Sequence, residues 1–257
     1  MSAALWSPLL RELDLWQEAG RRLRLWLRDD DAVAPSAALD RLAACAERFG
    51  APVLLAVIPL LAEPALAGAL RGKPVLLPCQ HGCRHRNHAP AGAKKSEFGP
   101  DRAPQEVDAG IAGAWLRLRD LLGESVLPVF VPPWNRIDPG HAARLPALGF
   151  AGLSCFRDHR HGPAGGPHLL NTHIDVMDWH GGRVGRSHGE LIAEIAGLLA
   201  RWRTRPRGPD TLGLLLHHRD HDAVAWAFLD GLLARAAAHP AVALTDPRDL
   251  LRPENPP

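Results

Sequence analysis

Short apolar runs alternate with helical patterns along most of the chain, and this alternation limits the fold more than any other feature of the sequence. Near-continuous apolar runs lie at 23–27, 53–58, 129–131 and 212–216. Such runs are typical of parallel strands, which are buried on both faces. Between them lie segments with apolar residues at helical spacing, such as 104–122. This order predicts βα units and a parallel sheet.

Cap residues and chain length define the organisation further. Ser36 commonly caps the start of a helix and Gly50 commonly ends one, so we predict a helix through Phe49. Neither a linker nor an internal repeat divides the 257 residues, and a single α/β barrel commonly has this length. We therefore expect one domain over 1–257, with seven or eight parallel strands whose carboxyl ends meet at one mouth.

Composition narrows the class of protein. The formal net charge is +2, so neither a nucleic acid nor an anionic membrane is needed as a partner. Charged residues interrupt 1–20, and no uncharged apolar stretch approaches about 18 residues, so we expect no secretory signal and no membrane span. The four cysteines form no Cys-x-x-Cys pair and are expected to be reduced thiols. These features favour a cytoplasmic enzyme.

Five short motifs follow the predicted strands in order. They lie at 29–31, 81–85, 131–134, 175–179 and 217–218. Residues at the carboxyl ends of barrel strands gather at one mouth, so side chains dozens of residues apart can meet there. Each motif alone has a plain structural explanation, such as a solvated turn, a polar loop or a buried Trp. The complete set predicts a site for metal-assisted hydrolysis.

A carboxylate cluster and a histidine pair are the candidate metal ligands. Asp29, Asp30 and Asp31 are consecutive, and adjacent carboxylates raise one another's pKa unless a cation is near. His81 and His85 are four residues apart, a spacing that places both rings on one face of a helical turn. Two histidines and one carboxylate leave positions open for water and substrate, as a catalytic metal requires.

Two neighbouring motifs could complete the metal site and the oxyanion site. His88 is a candidate third histidine ligand, or a residue that orients one. Pro132 and Pro133 stiffen the chain before Trp134. The backbone N–H of Trp134 could then point into the mouth and stabilise a developing oxyanion.

The last two motifs could supply a general acid. Asp175 and Asp178 are candidates to fix the tautomer of a histidine and raise its pKa, which suits that histidine to donate a proton. Trp179 could form an apolar wall against the substrate. His217 ends the strongest strand pattern and is the natural acid, whereas strand alternation points His218 to the other side.

In order and content, these motifs resemble those of the polysaccharide deacetylase family, the NodB-homology domains of carbohydrate esterase family 4. The family motifs are Thr-Phe-Asp-Asp, His-Ser/Thr-x-x-His, Arg-Pro-Pro-Tyr, an Asp-x-x-Asp-Trp type and Leu-x-His. The match spans 29–218, most of the chain. The resemblance implies an α/β fold, a distorted (β/α) barrel of seven or eight strands, and a divalent metal that is usually zinc.

The resemblance also implies roles, carried over by position. Asp29 matches the catalytic base and Asp30 the carboxylate ligand of the metal. His81 and His85 match the two histidine ligands. The oxyanion donor, the carboxylate that tunes the acid, and the acid itself match Trp134, Asp178 and His217.

Three positions depart from the family pattern. Asp31 stands where the family has Gly, so the register of the aspartates could be shifted by one residue. Gly82 replaces the Ser or Thr after the first His. Val131 replaces the Arg that steers the base, so Arg136 or Arg28 would have to substitute for it. Arg136 is also a candidate for binding substrate.

The resulting hypothesis is a zinc-dependent hydrolase acting on C–N bonds other than peptide bonds. It removes an N-acetyl or O-acetyl group from a carbohydrate or a related small amide. Two alternatives stay open at this stage. One is a metal-dependent hydrolase of a non-sugar C–N bond, and the other is a catalytically degenerate barrel that binds sugar.

Overall fold

A computed structural model gives the architecture of the chain and describes residues 3–251. The strands are β1 Leu23–Ala32, β2 Val53–Val57, β3 Leu76–His81, β4 Val129–Val131, β5 Gly152–Leu153, β6 His168–Leu169, β7 Ile174–Asp175, β8 Met177–Asp178, β9 Val184–Gly185, β10 Thr211–Leu216 and β11 Val242–Leu244. The α-helices are α1 Ala3–Glu18, α2 Ala37–Phe49, α3 Ala65–Arg71, α4 Pro104–Leu122, α5 Pro139–Arg144, α6 His188–Arg203, α7 Ala223–Ala238 and α8 Pro247–Leu250. Short 3-10 turns cover Gly123–Ser125, Pro133–Asn135 and Leu145–Leu148.

Over the described residues, nine strands form one sheet that curls into a half-barrel. Its order is β6-β5-β4-β3-β2-β1-β10-β7, with β11 paired to β1. All of its strand pairs are parallel. β8 and β9 form a separate antiparallel pair. The prediction of an α/β fold of the distorted (β/α) barrel type is confirmed, although the sheet has one strand more than the eight expected.

Successive side chains of β1 point to opposite sides of the sheet. Leu25 and Leu27 pack in the cluster that contains helix residues such as Leu39 and Leu229. Trp26 packs instead with residues of the neighbouring strands, inside the curl of the sheet. This alternation follows from the two-residue period of a strand. It defines an outer side that faces the helices and an inner side that faces the barrel interior.

Helix α1 is not among the elements predicted above, although the sequence contains its signal. Trp6, Leu9, Leu13 and Trp16 are buried. Their spacing forms one apolar stripe of an amphipathic helix. The indole Nε1 of Trp16 donates to the carbonyl of Leu199 at 3.2 Å, which fixes α1 against α6.

Other local predictions agree with the structure. The Ser36 side chain accepts from the N–H of Leu39 at 3.0 Å, and Gly50 ends α2 with a φ of +61°, so the helix through Phe49 is confirmed. The four cysteines are buried and free. In the described part of the chain, no helix has the length and apolar character needed to cross a bilayer.

Candidate metal centre and catalytic site

An irregularity in β1 brings two consecutive aspartates to the barrel mouth. Asp29 pairs with Leu55 of β2, but Ala32 pairs with Val57, so β1 contains one extra residue in this interval. Such a bulge interrupts the alternation of side chains. Asp31 lies in the bulge with a φ of +71°, in the left-handed region that non-glycine residues rarely adopt. Asp31 therefore reaches the mouth beside Asp30.

Asp31 and two histidines form a group with the composition of a metal site. Asp31 Oδ1 lies 3.2 Å from His81 Nε2 and 3.4 Å from His85 Nε2. One ligand atom from each of the three residues lies within 4.8 Å of the other two. Among residues 3–251, this is the one group of three or more potential ligands that is so close. One carboxylate and two imidazoles suit a divalent ion and leave coordination positions open.

The hydrogen bonding of this group is compatible with a cation between its members. His81 Nδ1 lies 2.9 Å from the carbonyl oxygen of Val131, which can only accept, so Nδ1 carries the proton. In the neutral ring, the lone pair of Nε2 then faces a carboxylate oxygen. Asp31 Oδ1 is itself buried and makes no hydrogen bond. A bound cation would satisfy both atoms.

The electrostatics of the group also favour positive charge. Burial would raise the pKa of Asp31, but contact with His81 and the charges of His81 and His85 outweigh it, so the pKa lies well below its usual value. Burial would lower the pKa of His81, but Asp30 and Asp31 raise it overall. A site that stabilises imidazolium beside carboxylate is electrostatically suited to a metal cation.

The two histidines are not on a helical turn, contrary to the interpretation of their spacing. His81 is the last residue of β3 and His85 lies in the loop that follows. Gly82 and His85 have φ values of +56° and +55°, and these two left-handed residues bend the loop so that the rings come to 5.2 Å between centroids. A tight loop, rather than helical periodicity, therefore brings these two residues four positions apart close together.

Asp30 lies on the inner side of the sheet and is held by Arg28. Arg28 Nε donates to Asp30 Oδ1 at 2.9 Å and Nη2 donates to Oδ2 at 3.0 Å, a two-pronged ion pair. Arg28 is fully buried and also donates to the Ser154 and Cys155 carbonyls and to Asn135 Oδ1. Of the two arginines that the sequence suggested, Arg28 is thus the one that bonds to Asp30, whereas Arg136 donates to the carbonyl of Lys95.

Asp29 lies on the opposite, outer side of the sheet. Asp29 Oδ2 accepts from the backbone N–H of His218 at 2.8 Å, and its Oδ1 contacts His218 Nδ1. Both residues are almost completely buried. Asp29, expected as the base, therefore points away from the histidines. Asp31, rather than the expected Asp30, belongs to the close group with His81 and His85. The extra residue in β1 places Asp31 at the histidines, and strand alternation turns Asp29 away from them.

His217 points to the inner side and lies against Asp175. The two side chains approach to 3.9 Å between Nδ1 and Oδ1. The indole N–H of Trp179 donates to Asp175 Oδ2 at 2.8 Å, and the Trp179 ring packs edge-on against His217 with centroids 4.5 Å apart. Burial raises the pKa of Asp175, although the charge of His217 opposes the shift.

Asp178, the residue expected to tune the acid, has other partners. Its Oδ1 accepts from the backbone N–H groups of His180 and Gly181, at 3.0 and 2.8 Å. These bonds lower the pKa of Asp178, first through Gly181 and then through His180. The structure thus places Asp175 rather than Asp178 beside His217, because the chain turns between β8 and β9 and carries Asp178 into the turn.

Trp134 lies beside the candidate metal centre in a strained turn. Its φ is +55° and that of Asn135 is +57°. Consecutive non-glycine residues in this region are unusual and tend to occur at functional sites. The Trp134 ring packs on His85, with centroids 4.4 Å apart.

Two open clefts adjoin these residues. One is lined by Asn135, Phe156, Asp175 and Trp179, among others. The second is lined in part by His88, Lys94, Arg102, Arg136 and His159. Arg136 and Trp179 thus border different clefts, and His88 lies outside the donor group around Asp31.

Comparison with known proteins supports the fold. No protein-family model matches this sequence, and neither does any curated protein. By contrast, 46 chains of solved structures match. A family 4 carbohydrate esterase from Streptomyces lividans, in complex with acetate, matches at 15% identity and a TM-score of 0.56, over 86% of this chain and 91% of its own.

Two further structures come from the same family. A family 4 acetyl xylan esterase from Clostridium thermocellum, in complex with a cobalt ion, matches at 12% identity and a TM-score of 0.54, over 88% of this chain and 89% of its own. A mutant of a family 4 pseudoenzyme with restored enzymatic activity matches at 12% identity and a TM-score of 0.60, over 90% of this chain and 68% of its own. The chain therefore has the fold of the family 4 carbohydrate esterases, the polysaccharide deacetylases, and the resemblance is confirmed at the level of fold.

Proposed function

We propose that this protein is a metal-dependent deacetylase that hydrolyses an N-acetyl or O-acetyl group on a carbohydrate. The observation that carries the proposal is the group of Asp31, His81 and His85, whose buried Asp31 Oδ1 has no hydrogen-bond partner. The fold adds support, because an acetyl xylan esterase and an acetate-bound carbohydrate esterase share it.

Asp31, His81 and His85 would hold a divalent ion, and we propose zinc. Such an ion, when bound, polarises the acyl carbonyl and lowers the pKa of water toward about 7. A cobalt ion is present in the Clostridium thermocellum relative, which is consistent with a site for a divalent ion of this kind. This assignment replaces Asp30 with Asp31 as the carboxylate ligand.

Asp30 acts as the general base in this proposal, in place of Asp29. Asp30 lies on the same side of the sheet as the donor group and is adjacent to Asp31 in the chain. The fork of Arg28 fixes both of its oxygens in position, and each oxygen retains a further lone pair that can accept a proton from water. Base catalysis of this kind typically contributes about 10²–10⁴-fold.

His217 donates the proton that the leaving amine or alcohol requires. Asp175 lies beside its ring and Trp179 packs against it, so the imidazole is held in one orientation. The backbone N–H of Trp134 is proposed to stabilise the developing oxyanion, since this turn lies against His85. Asp178 has no role in this chemistry.

The two alternatives from the sequence predict different substrates or none. A hydrolase of a non-sugar C–N bond would use the same groups on another amide. A barrel that only binds sugar has a precedent in fold, because one similar structure derives from a pseudoenzyme. The complete set of Asp30, Asp31, His81, His85 and His217 favours an enzyme. A cytoplasmic location and a single domain over 1–257 stay predictions from the sequence.

The proposal is tested by measuring acetate release before and after removal of metal. Purified protein is treated with a chelator, then supplied with zinc or cobalt, and assayed on acetylated chitooligosaccharides, acetylated xylooligosaccharides and N-acetylated amines that contain no sugar. We expect release from a sugar substrate that chelation abolishes and metal restores. Release only from the non-sugar amines would favour a hydrolase of a non-sugar C–N bond. Metal binding without release from any substrate would favour a barrel that only binds sugar.

A further inference from the structure

We propose that Glu97 is a positioning residue for the metal centre, which holds the loop between His81 and His85 through two backbone N–H groups. This inference rests on the metal site of the proposed function. Glu97 belongs to none of the five sequence motifs, and it lies in the long connection between β3 and α4.

The carboxylate of Glu97 bonds directly to the histidine loop. Glu97 Oε2 accepts from the N–H of Cys83 at 3.1 Å, and Oε1 accepts from the N–H of Arg84 at 2.9 Å. Glu97 is only 2% exposed. Taking a carboxylate out of water costs several kcal/mol unless hydrogen bonds compensate it, and here both bonds are to the loop that carries His85.

Gly82 shows that the space beside His81 is built around this carboxylate. A Cβ atom on Gly82 would lie 2.3 Å from Glu97 Oε2 and 2.6 Å from Pro133 Cδ. The φ of +56° at Gly82 also disfavours any side chain. The Glu97 carboxylate and the Pro133 ring therefore occupy the space that a side chain at position 82 would need.

Glu97 is well placed to act as an anchor, because its own backbone is fixed. The next residue, Phe98, is fully buried and packs against Phe130 of β4, with centroids 5.3 Å apart. The carbonyl of Phe98 accepts from the N–H of Asp138 at 2.8 Å. The carboxylate therefore extends from the core cluster beneath it rather than from a free loop.

The rest of the loop is tied down at the strand end. The N–H of Gly82 donates to the carbonyl of Val131 at 2.9 Å, and the Gln80 side chain donates to the carbonyl of Gly82 at 3.0 Å. These bonds fix the His81 end, and the carbonyl of Cys83 also accepts from the N–H of Leu60 at 3.1 Å. The two bonds from Cys83 and Arg84 to Glu97 fix the segment just before His85, whose left-handed backbone needs such support.

The test measures metal affinity rather than turnover. Cobalt(II) is titrated into metal-free protein and followed by its visible absorption, which reports coordination geometry. We expect Glu97→Ala to raise the dissociation constant by about 10–100-fold, as is typical for groups that orient metal ligands, and to alter the spectrum. Glu97→Gln, which keeps the volume and one acceptor oxygen, should give a smaller rise in the dissociation constant. It tests the positioning role of Glu97 if the alanine variant does not fold.

Two further variants make the result specific. Gly82→Ala disturbs the same contact from the other side and should also weaken metal binding. Glu12→Gln is the matched control, because Glu12 is a buried carboxylate 7% exposed whose partner is Arg203, on the side of α1 and α6. It should lower the thermal midpoint and leave the dissociation constant for cobalt unchanged.

The outcomes separate this inference from the function on which it rests. If wild-type protein binds no cobalt, the metal centre itself is wrong. If wild type binds cobalt and folded Glu97→Ala or Glu97→Gln binds it with the same affinity and spectrum, the positioning role of Glu97 is wrong and the metal centre stands.

Discussion

The inner and outer sides of the sheet carry similar polar residues at the tips of β1 and β10, and they use them differently. On the outer side, both oxygens of Asp29 contact His218. On the inner side, Asp31 Oδ1 and His217 Nδ1 are buried atoms that make no hydrogen bond. An aspartate and a histidine occur on both sides, so residue type alone does not identify the site.

The two sides differ in whether the carboxylate oxygens can still bind a further partner. Both oxygens of Asp29 are already bonded to the buried His218, so Asp29 has a structural role. Asp31 faces two imidazole nitrogens with which it could share a cation, and Arg28 holds the carboxylate of Asp30 in position. An unsatisfied buried atom alone does not distinguish the two sides, because Nε2 of His218 on the outer side also lacks a hydrogen-bond partner. The inner side is distinguished by the approach of Asp31 Oδ1 to two imidazole nitrogens.

The largest effect that we predict is on turnover, from the inner side. Asp30→Asn should lower kcat by about 10²–10⁴-fold, because the amide cannot accept the proton from water. The variant leaves the buried Arg28 without its ionic partner and should also lose stability, but Arg28 keeps its carbonyl acceptors at Ser154 and Cys155, which should keep the variant folded. Steady-state assays on the substrate found for the wild type, with a thermal melt as folding control, measure both. A variant that keeps wild-type turnover would remove Asp30 from the base role.

The corresponding change on the outer side should act on stability. Asp29→Asn leaves His218 buried without its ionic partner, and the free energy of unfolding should fall by about 3 kcal/mol. The kcat of the folded variant should stay close to that of wild type. Denaturant unfolding and kinetics on the same preparation test this prediction. A large loss of kcat with unchanged stability would instead return the base role to Asp29.

The smallest effect concerns His173, a partly buried histidine outside both polar groups. Burial lowers the pKa of His173 to about 4, and its Nδ1 accepts from the N–H of Gly213 at 3.0 Å. The unfolded chain binds this proton near pH 6.5, so the neutral ring contributes stability that is present above pH 6.5 and is lost as the pH falls toward 4. The loss is on the order of 2–3 kcal/mol.

A substitution isolates this contribution from that of the other histidines. His173→Asn keeps an acceptor for Gly213 but cannot be protonated in this range. Denaturant unfolding at several pH values between 4 and 7 should show a shallower loss of stability in the variant than in wild type. Parallel curves for the two proteins would show that His173 does not account for the acid sensitivity.

The sequence predicts the barrel and the composition of the site because both depend on local patterns. Apolar runs mark the strands, and Asp, His and Trp at their ends mark the mouth. Strand alternation could also have separated Asp29 from Asp30, since Trp26 and Arg28 share the parity of Asp30. The same parity would have favoured Arg28 over Arg136 as the partner of the base.

The remaining features depend on contacts between distant segments. The bulge that brings Asp31 to the mouth is visible only in the pairing of β1 with β2. The choice of Asp175 over Asp178 depends on where the chain turns after β8. Glu97 reaches the histidine loop from a long connection whose path no local pattern specifies.

The metal affinities of Asp30→Asn and Asp31→Asn decide which of the two aspartates binds the metal. Zinc or cobalt is titrated into each metal-free variant and into wild type under identical conditions. We predict that Asp31→Asn abolishes measurable binding, whereas Asp30→Asn weakens it by no more than about tenfold. Loss of binding in Asp30→Asn with retention in Asp31→Asn would contradict it and place the metal on the other carboxylate.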